Sequence, residues 1–237
     1  MLKIFLSALF IILASIPAFS ALADEQIDVE AVKKKYWARG DESELGVVQN
    51  RLYTKEGKLA FSLITGSISA DPFLDVKALG GSVGYHLNEY FGIYLIGWKA
   101  FASSSSALET FERVSRVTTN TNKPLSYFGA ELAASLIYGK LSVVGKKIIY
   151  YDMHFLSGIG LTRSESGNSV TPSLGLGQAI WLTDQLAFRI DYRLMPYREE
   201  IVEKVRPSLM GQVVDRRTNW SNAVTLSATF LFGGSKQ

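Results

Sequence analysis

The stretch WSNAVTLSATFLF, residues 220–232, decides the fold. Val224, Leu226, Ala228, Phe230 and Phe232 share one parity, while Ser221, Ala223, Thr225, Ser227 and Thr229 share the other. A strand shows its two faces with period two. One face here is therefore wholly apolar and the other small and polar. A strand of a transmembrane β-barrel needs this division, apolar towards lipid and polar towards the lumen. Only five residues follow Phe232, so the stretch reads as the strand that closes the barrel.

Seven earlier stretches carry a strand signal. Residues 59–69 set Leu59, Phe61 and Leu63 on one face. Residues 76–87 oppose Leu79, Val83, Tyr85 and Leu87 to Ala78, Gly80, Ser82 and Gly84, a small set suited to a narrow interior. Residues 91–102 are apolar on both faces. The others are 125–138, 148–162, 170–182 and 186–196. Each is about as long as the ~9–11 residues that a tilted membrane strand requires. Long polar connections, residues 103–123 and 198–219, fall only after odd strands. Short turns inside and long loops outside are expected of a barrel with both termini in the periplasm. An even strand number also lets every neighbour pair antiparallel, leaving no edge. The fold expected is all-β: an eight-stranded antiparallel transmembrane β-barrel with a short N-terminal periplasmic arm.

Upstream, Lys3, the apolar run 4–16 and Ala21-Leu22-Ala23 have the order of a secretory signal. The division expected is signal peptide 1–23, arm 24–57, barrel 58–233 and tail 234–237. Within the arm, residues 45–53 could add a strand, and Lys55-Glu56-Gly57 makes a turn. Tyr90, Tyr138, Tyr150 and Trp181 near one set of strand ends, with Trp98, Tyr127, Tyr197 and Trp220 near the other, suggest two interfacial aromatic belts. The absence of cysteine excludes disulfides and thiolate metal sites. A formal net charge of only +3 gives no case for nucleic-acid binding, which wants a concentrated basic face.

The parities aim six ionisable residues at the lumen: Glu131, Asp152, His154, Arg189, Asp191 and Arg193. An eight-stranded barrel is just wide enough to be filled by side chains, and buried charges there must pair. Two cations face three anions, with His154 able to adjust the balance. A salt-bridged plug is the structural reading. The catalytic alternative makes Asp152 the orienting partner of a His154 base, but no nucleophile motif accompanies them. Only His86 and His154 could offer imidazole to a metal, on different strands, so neither a metal site nor any other cofactor is expected. Gly175-Leu176-Gly177 reads as room in a narrow lumen rather than as a phosphate loop.

Ile137-Tyr138-Gly139-Lys140, Gly145-Lys146-Lys147-Ile148, Asp152, Gly158-Ile159-Gly160, Gly175-Leu176-Gly177-Gln178 and Asp191-Tyr192-Arg193 carry a resemblance. The chain resembles the outer-membrane β-barrel domain proteins of Gram-negative bacteria, of the small OmpA/OmpX-type architecture. The resemblance implies the outer membrane as location and carries over no catalytic residue. Thr225, Ser227, Phe230 and Phe232 are similar to the assembly signal of such proteins. Ser227 stands in place of the usual Gly, and the chain runs on past the last Phe. The partners implied are outer-membrane lipids and lipopolysaccharide, the barrel-assembly machinery, and an envelope protein; nucleic acid is not among them. The leading function is a structural or interactive scaffold that presents outer loops. A small pore and a barrel-embedded lipid- or peptide-modifying enzyme are the alternatives, and a soluble β-sandwich is the competing fold.

Overall fold

A computed structural model describes residues 54–143 and 147–233. The expected signal peptide, the extra strand at 45–53 and the tail at 234–237 lie outside the described residues. Eight strands follow in order: β1 Lys58–Ser69, β2 Leu74–His86, β3 Phe91–Ser104, β4 Pro124–Val143, β5 Lys147–Ser164, β6 Gly167–Trp181, β7 Leu186–Val202 and β8 Val213–Gly233. Each pairs antiparallel with its chain neighbour, and β8 returns to β1, closing the barrel. The closing ladder runs from Lys58 opposite Gly233 to Ser69 opposite Asn222.

Period-two alternation explains the ladder. Outward residues such as Leu63, Leu79, Phe128, Ile159, Leu176 and Leu226 are exposed, while Ala60, Val76, Thr171, Ala223 and Thr225 are buried. On β8, Val224, Leu226, Phe230 and Phe232 face out and Thr225, Ser227, Thr229 and Leu231 face in. Phe61 and Phe232 meet edge to face on the outer surface, 5.6 Å apart, across the closing seam. β3 resolves the doubly apolar stretch: Tyr94, Ile96 and Trp98 point inward, Phe91, Ile93 and Leu95 outward.

Three expectations need correction, and one irregularity adds to them. The polar stretch 103–123 is not all loop, because α1 spans Ser106–Ser115. Ser105 caps its first turn by accepting from Leu108 N–H, and Arg116 ends it in the left-handed region at φ 55°. The stretch 198–219 is mostly strand, since β7 and β8 continue as a ladder, with Glu199 opposite Arg217 and Glu200 opposite Arg216. Cross-strand opposite charges stabilise such a polar extension. The connection after β4 is shorter than 139–147, with β4 reaching Val143 and β5 starting at Lys147. A bulge between Ser135 and Ile137 shifts the β4 register, so Leu136 and Ile137 are both exposed.

The aromatic belts also fail in part. Tyr90 and Trp220 are exposed, but Trp98, Tyr127, Tyr150, Trp181 and Tyr197 are buried in the barrel. The narrow interior takes their volume. Trp98 and Tyr127 pack with centroids 4.6 Å apart, and Tyr138 stacks on Tyr150 at 6.1 Å. Glycines make this possible: a methyl group at Gly84 would run into the Tyr94 ring.

Candidate functional site: the lumen and its mouths

The interior is layered along the barrel axis. Nearest the start of β1 and the end of β8, Ala60, Tyr94, Tyr150, Leu156, Trp181, Ala187 and Leu231 form one apolar cluster. Towards the long connections, Ile64, Val76, Ile96, Trp98, Tyr127 and Met195 belong to a second. The ionisable side chains of β4, β5 and β7 lie within this packed interior.

Arg193 is the hub. Its Nε donates to Glu131 Oε1 at 3.0 Å and to Oε2 at 3.2 Å, its Nη2 to Asp191 Oδ2 at 3.2 Å, and its Nη1 to Thr225 Oγ1 at 2.8 Å. Ser173 donates to Glu131 Oε1 at 3.3 Å. Arg189 Nη2 donates to Asp191 Oδ2 at 3.2 Å, and its guanidinium lies 5.3 Å from the centroid of the Tyr94 ring. His154 Nε2 sits 2.8 Å from Asp191 Oδ1 and 3.1 Å from Arg189 Nη2. The Tyr94 hydroxyl bonds His86 Nε2 at 2.9 Å.

Five of the six ionisable residues aimed at the lumen thus form one connected cluster. Asp152 does not join it. Its Oδ2 is paired with Lys55, whose Nζ also donates to Ser135 Oγ at 2.8 Å. The orienting pair proposed for catalysis is consequently not formed: His154 is held by Asp191, and Asp152 by Lys55. Lys55 was expected only as part of a turn. It stands three residues before β1, outside any alternation, yet is 4 % exposed. The deficit of one cation among the lumen residues was the signal pointing to it. With Lys55 counted, Lys55, Arg189 and Arg193 balance Glu131, Asp152 and Asp191, and His154 need carry no charge. The cavity left between Lys55, His86, Asp152, His154 and Arg189 measures about 30 Å³. That is room for a water molecule or two, not for a peptide or a lipid.

The mouth at the long-connection end is bridged by polar side chains. Arg217 spans Asp71 and Glu199, at 2.7 Å each. Asn122, from the β3–β4 connection, donates to Glu199 Oε2 at 2.9 Å and to Ser164 Oγ at 3.2 Å. Asn120 donates to Glu203 Oε1 at 3.0 Å, and Arg206 pairs with Glu203 Oε2 at 2.7 Å. Hydrogen bonds from Asn120 and Arg206 hold the Glu203 carboxyl down at about 2. Lys204 reaches Glu165 at 2.5 Å. The β3–β4 connection is thereby tied to the β7–β8 hairpin. Among the described residues, no group of His, Asp and Glu could hold a metal ion.

Outside, the apolar girdle ends at a basic level: Lys77, Lys99, Arg163 and Arg198 are outward and exposed on β2, β3, β5 and β7. Among the described residues no helix is long and apolar enough to cross a membrane. The strands have the character to do so. Hydrocarbon tolerates only structures whose backbone groups are satisfied internally, and a closed sheet is one of two solutions. A closed ladder with an apolar exterior and an ion-paired interior defines a transmembrane β-barrel of the outer-membrane type. A soluble sandwich, with apolar inner faces and two sheets, is not this arrangement.

No family model and no curated protein sequence matches the chain. Solved structures do match. The outer membrane protein OprG from Pseudomonas aeruginosa shares 12 % identity at a TM-score of 0.45, over 77 % of this chain and 99 % of that one. Ail, the attachment invasion locus protein of Yersinia pestis, shares 12 % at 0.36, over 75 % and 99 %. Neisserial surface protein A shares 12 % at 0.36, over 73 % and 94 %. The fold stands on the ladder of this chain, and what those proteins do is said of them alone.

Proposed function

We propose that the protein is an integral scaffold of the Gram-negative outer membrane, a plugged barrel that holds its long connections rigidly at one membrane face. The termini lie in the periplasm, and the α1 connection and the β7–β8 hairpin face outward. The observation that carries this reading is the interior: an ionic cluster embedded among two apolar clusters, with a cavity of only about 30 Å³ between Lys55, His86, Asp152, His154 and Arg189. A packed, ion-paired interior of this kind suits neither ion flow nor turnover of a bulky substrate. The tied outer connections suit recognition, because loops fixed on a rigid frame are where binding surfaces usually sit. Lipid and lipopolysaccharide surround the girdle, an envelope protein is the partner of the outer face, and Thr225, Ser227, Phe230 and Phe232 present the strand read by the assembly machinery.

The test is conductance. Refolded protein, checked for heat-modifiable migration on unboiled gels, is added to planar lipid bilayers. We expect no unitary current steps. Reproducible steps from the folded form would assign a pore instead.

A further inference from the structure

The barrel is closed, but one of its ladders is short. β6 and β7 pair from Trp181 opposite Ala187 to Leu174 opposite Leu194, and there the ladder stops. Both strands run on: β6 stays paired to β5 up to Gly167, and β7 to β8 up to Val202. Continuing the β6–β7 register would set Pro172 opposite Pro196. The N–H of Leu182 donates to Leu186 O at 3.0 Å across this same seam. With period-two alternation, even-numbered residues of β6 and of β7 therefore turn their amides towards each other. Pro172 and Pro196 occupy two such positions and have no N–H to give. The seam opens at the one rung where both donors are missing.

Beyond that rung the next facing amides belong to Val170 and Arg198, then to Asn168 and Glu200. The backbone ladder does not resume here, and the contact across the seam passes through a side chain, Ser169 Oγ donating to the Arg198 carbonyl. A groove of about 680 Å³ lies just beyond, lined among others by Asn168, Ser169, Arg198 and Thr218 and by two carboxylates already matched to arginines, Glu199 to Arg217 and Glu200 to Arg216. Arg163 stands opposite Asn168 on β5, so Arg163 and Arg198 flank β6, one on each neighbouring strand. Both are exposed, and neither forms an ion pair among the described residues. Below the groove the outward residues turn apolar: Val170, Leu174, Leu176 and Tyr192 are exposed. Cations thus sit directly above lipid-facing apolar side chains, at the edge of the girdle.

We infer that this seam binds a phosphorylated membrane lipid of the outer leaflet, with its phosphate between Arg163 and Arg198 and an acyl chain lying along the opening at Pro172 and Pro196. Guanidinium groups suit a phosphate. The apolar side chains below suit the chain attached to it. This site rests on the outer-membrane reading above.

Full-length protein is refolded in detergent micelles and its insertion competence checked by the unboiled-gel shift. It is then titrated with bis-phosphorylated lipid A, phosphatidylglycerol, phosphatidylcholine or inorganic phosphate, and read by native mass spectrometry. We expect one tightly retained lipid A, with phosphatidylcholine not retained. Arg163→Gln with Arg198→Gln removes both charge-assisted contacts and should weaken retention at least about tenfold, the fold-change for losing even one of them. Pro172→Val with Pro196→Val, which restores the two donors and lets the seam zip further, should weaken it about fivefold or more while leaving the gel shift intact. Equal retention by the arginine variant, equal retention of phosphatidylcholine, or inorganic phosphate binding as tightly as lipid A would overturn the assignment. Loss of the gel shift in the unaltered protein would instead count against the barrel reading itself.

Discussion

Replacing Lys55 by Met tests the reading of the lumen most directly. Met keeps the aliphatic stem and removes the ammonium group. Asp152, 2 % exposed and in the middle of β5, then loses its cation, and Ser135 loses a donor at 2.8 Å. An uncompensated buried charge costs about 3–5 kcal/mol. The converse change, Asp152→Asn, should cost less, about 1–3 kcal/mol. Lys55 precedes β1 at the end of the barrel, so it can swing its charge back into water, whereas Asp152 is held by the ladder on both sides. The double variant removes the whole pair and should recover most of the Lys55→Met loss, because the neutral amide that Asp152→Asn introduces needs hydrogen bonds but no counter-charge. The assay is equilibrium urea unfolding of the barrel in phospholipid vesicles, with unfolding slopes compared so that only stability is read. A Lys55→Met cost under about 1 kcal/mol, or a double variant no more stable than Lys55→Met alone, would refute the argument that Lys55 completes the lumen charge.

Three further outcomes follow from the same geometry. Arg193→Met, which strands Glu131, should cost about 3–5 kcal/mol in the urea assay, while Arg193→Met with Glu131→Leu should return close to the unaltered stability; equal costs for both would disconnect the two residues. Gly84→Val should cost about 1–3 kcal/mol by overpacking, because Tyr94 must leave its place under Arg189 and its bond to His86, and an unchanged unfolding midpoint would show that the ring has room. The clasp at Glu203 has a defined acid window. Its folded-state carboxyl sits at about 2, below the ordinary value of 4.5, so its contribution is complete above about 4.5 and disappears as pH falls through about 2. Hydrogen exchange in the β3–β4 connection should be flat from pH 7 to 4.5 once corrected for intrinsic rates, with protection falling below that. Asn120→Ala should move the fall upward in pH, and loss of protection already between pH 7 and 5 would contradict the clasp.

The eight strands were legible because a membrane strand must expose one parity to lipid and the other to the lumen, and residues 220–232 do this with two exceptions, polar Asn222 on the outer parity and apolar Leu231 on the inner. The inward charges were legible for the same reason: Asp191 and Arg193 alternate with Ile190 and Tyr192. What alternation does not encode was missed. Lys55 belongs to no strand, and only the closed mouth brings it to Asp152. The bulge after Ser135 leaves no mark in residue type, since Leu136 and Ile137 are apolar in either register. The aromatic residues misled because position near a strand end does not say which face a ring takes. The β7–β8 extension was hidden by its charge, although Glu199-Glu200 against Arg216-Arg217 is a pairing that two strands can make and a loop cannot.

The relocated aromatic rings change how the ionic cluster works. Trp98 and Tyr127 lie on the side of the long connections, and Tyr150 and Trp181 on the side where β1 starts and β8 ends, so both approaches to the charges are lined with apolar bulk. Charges held away from water interact more strongly, and any left unpaired is penalised more heavily. Each ion pair of the plug is therefore stable only with both partners present or both removed. The cluster around Arg193 joins β4, β5, β7 and β8, and the separate Lys55–Asp152 pair ties the segment before β1 to β5. The lipid-facing surface alone could not do this. Apolar residues are as well solvated by acyl chains as by each other, so the polar interior has to supply the specific contacts that hold this barrel in one shape.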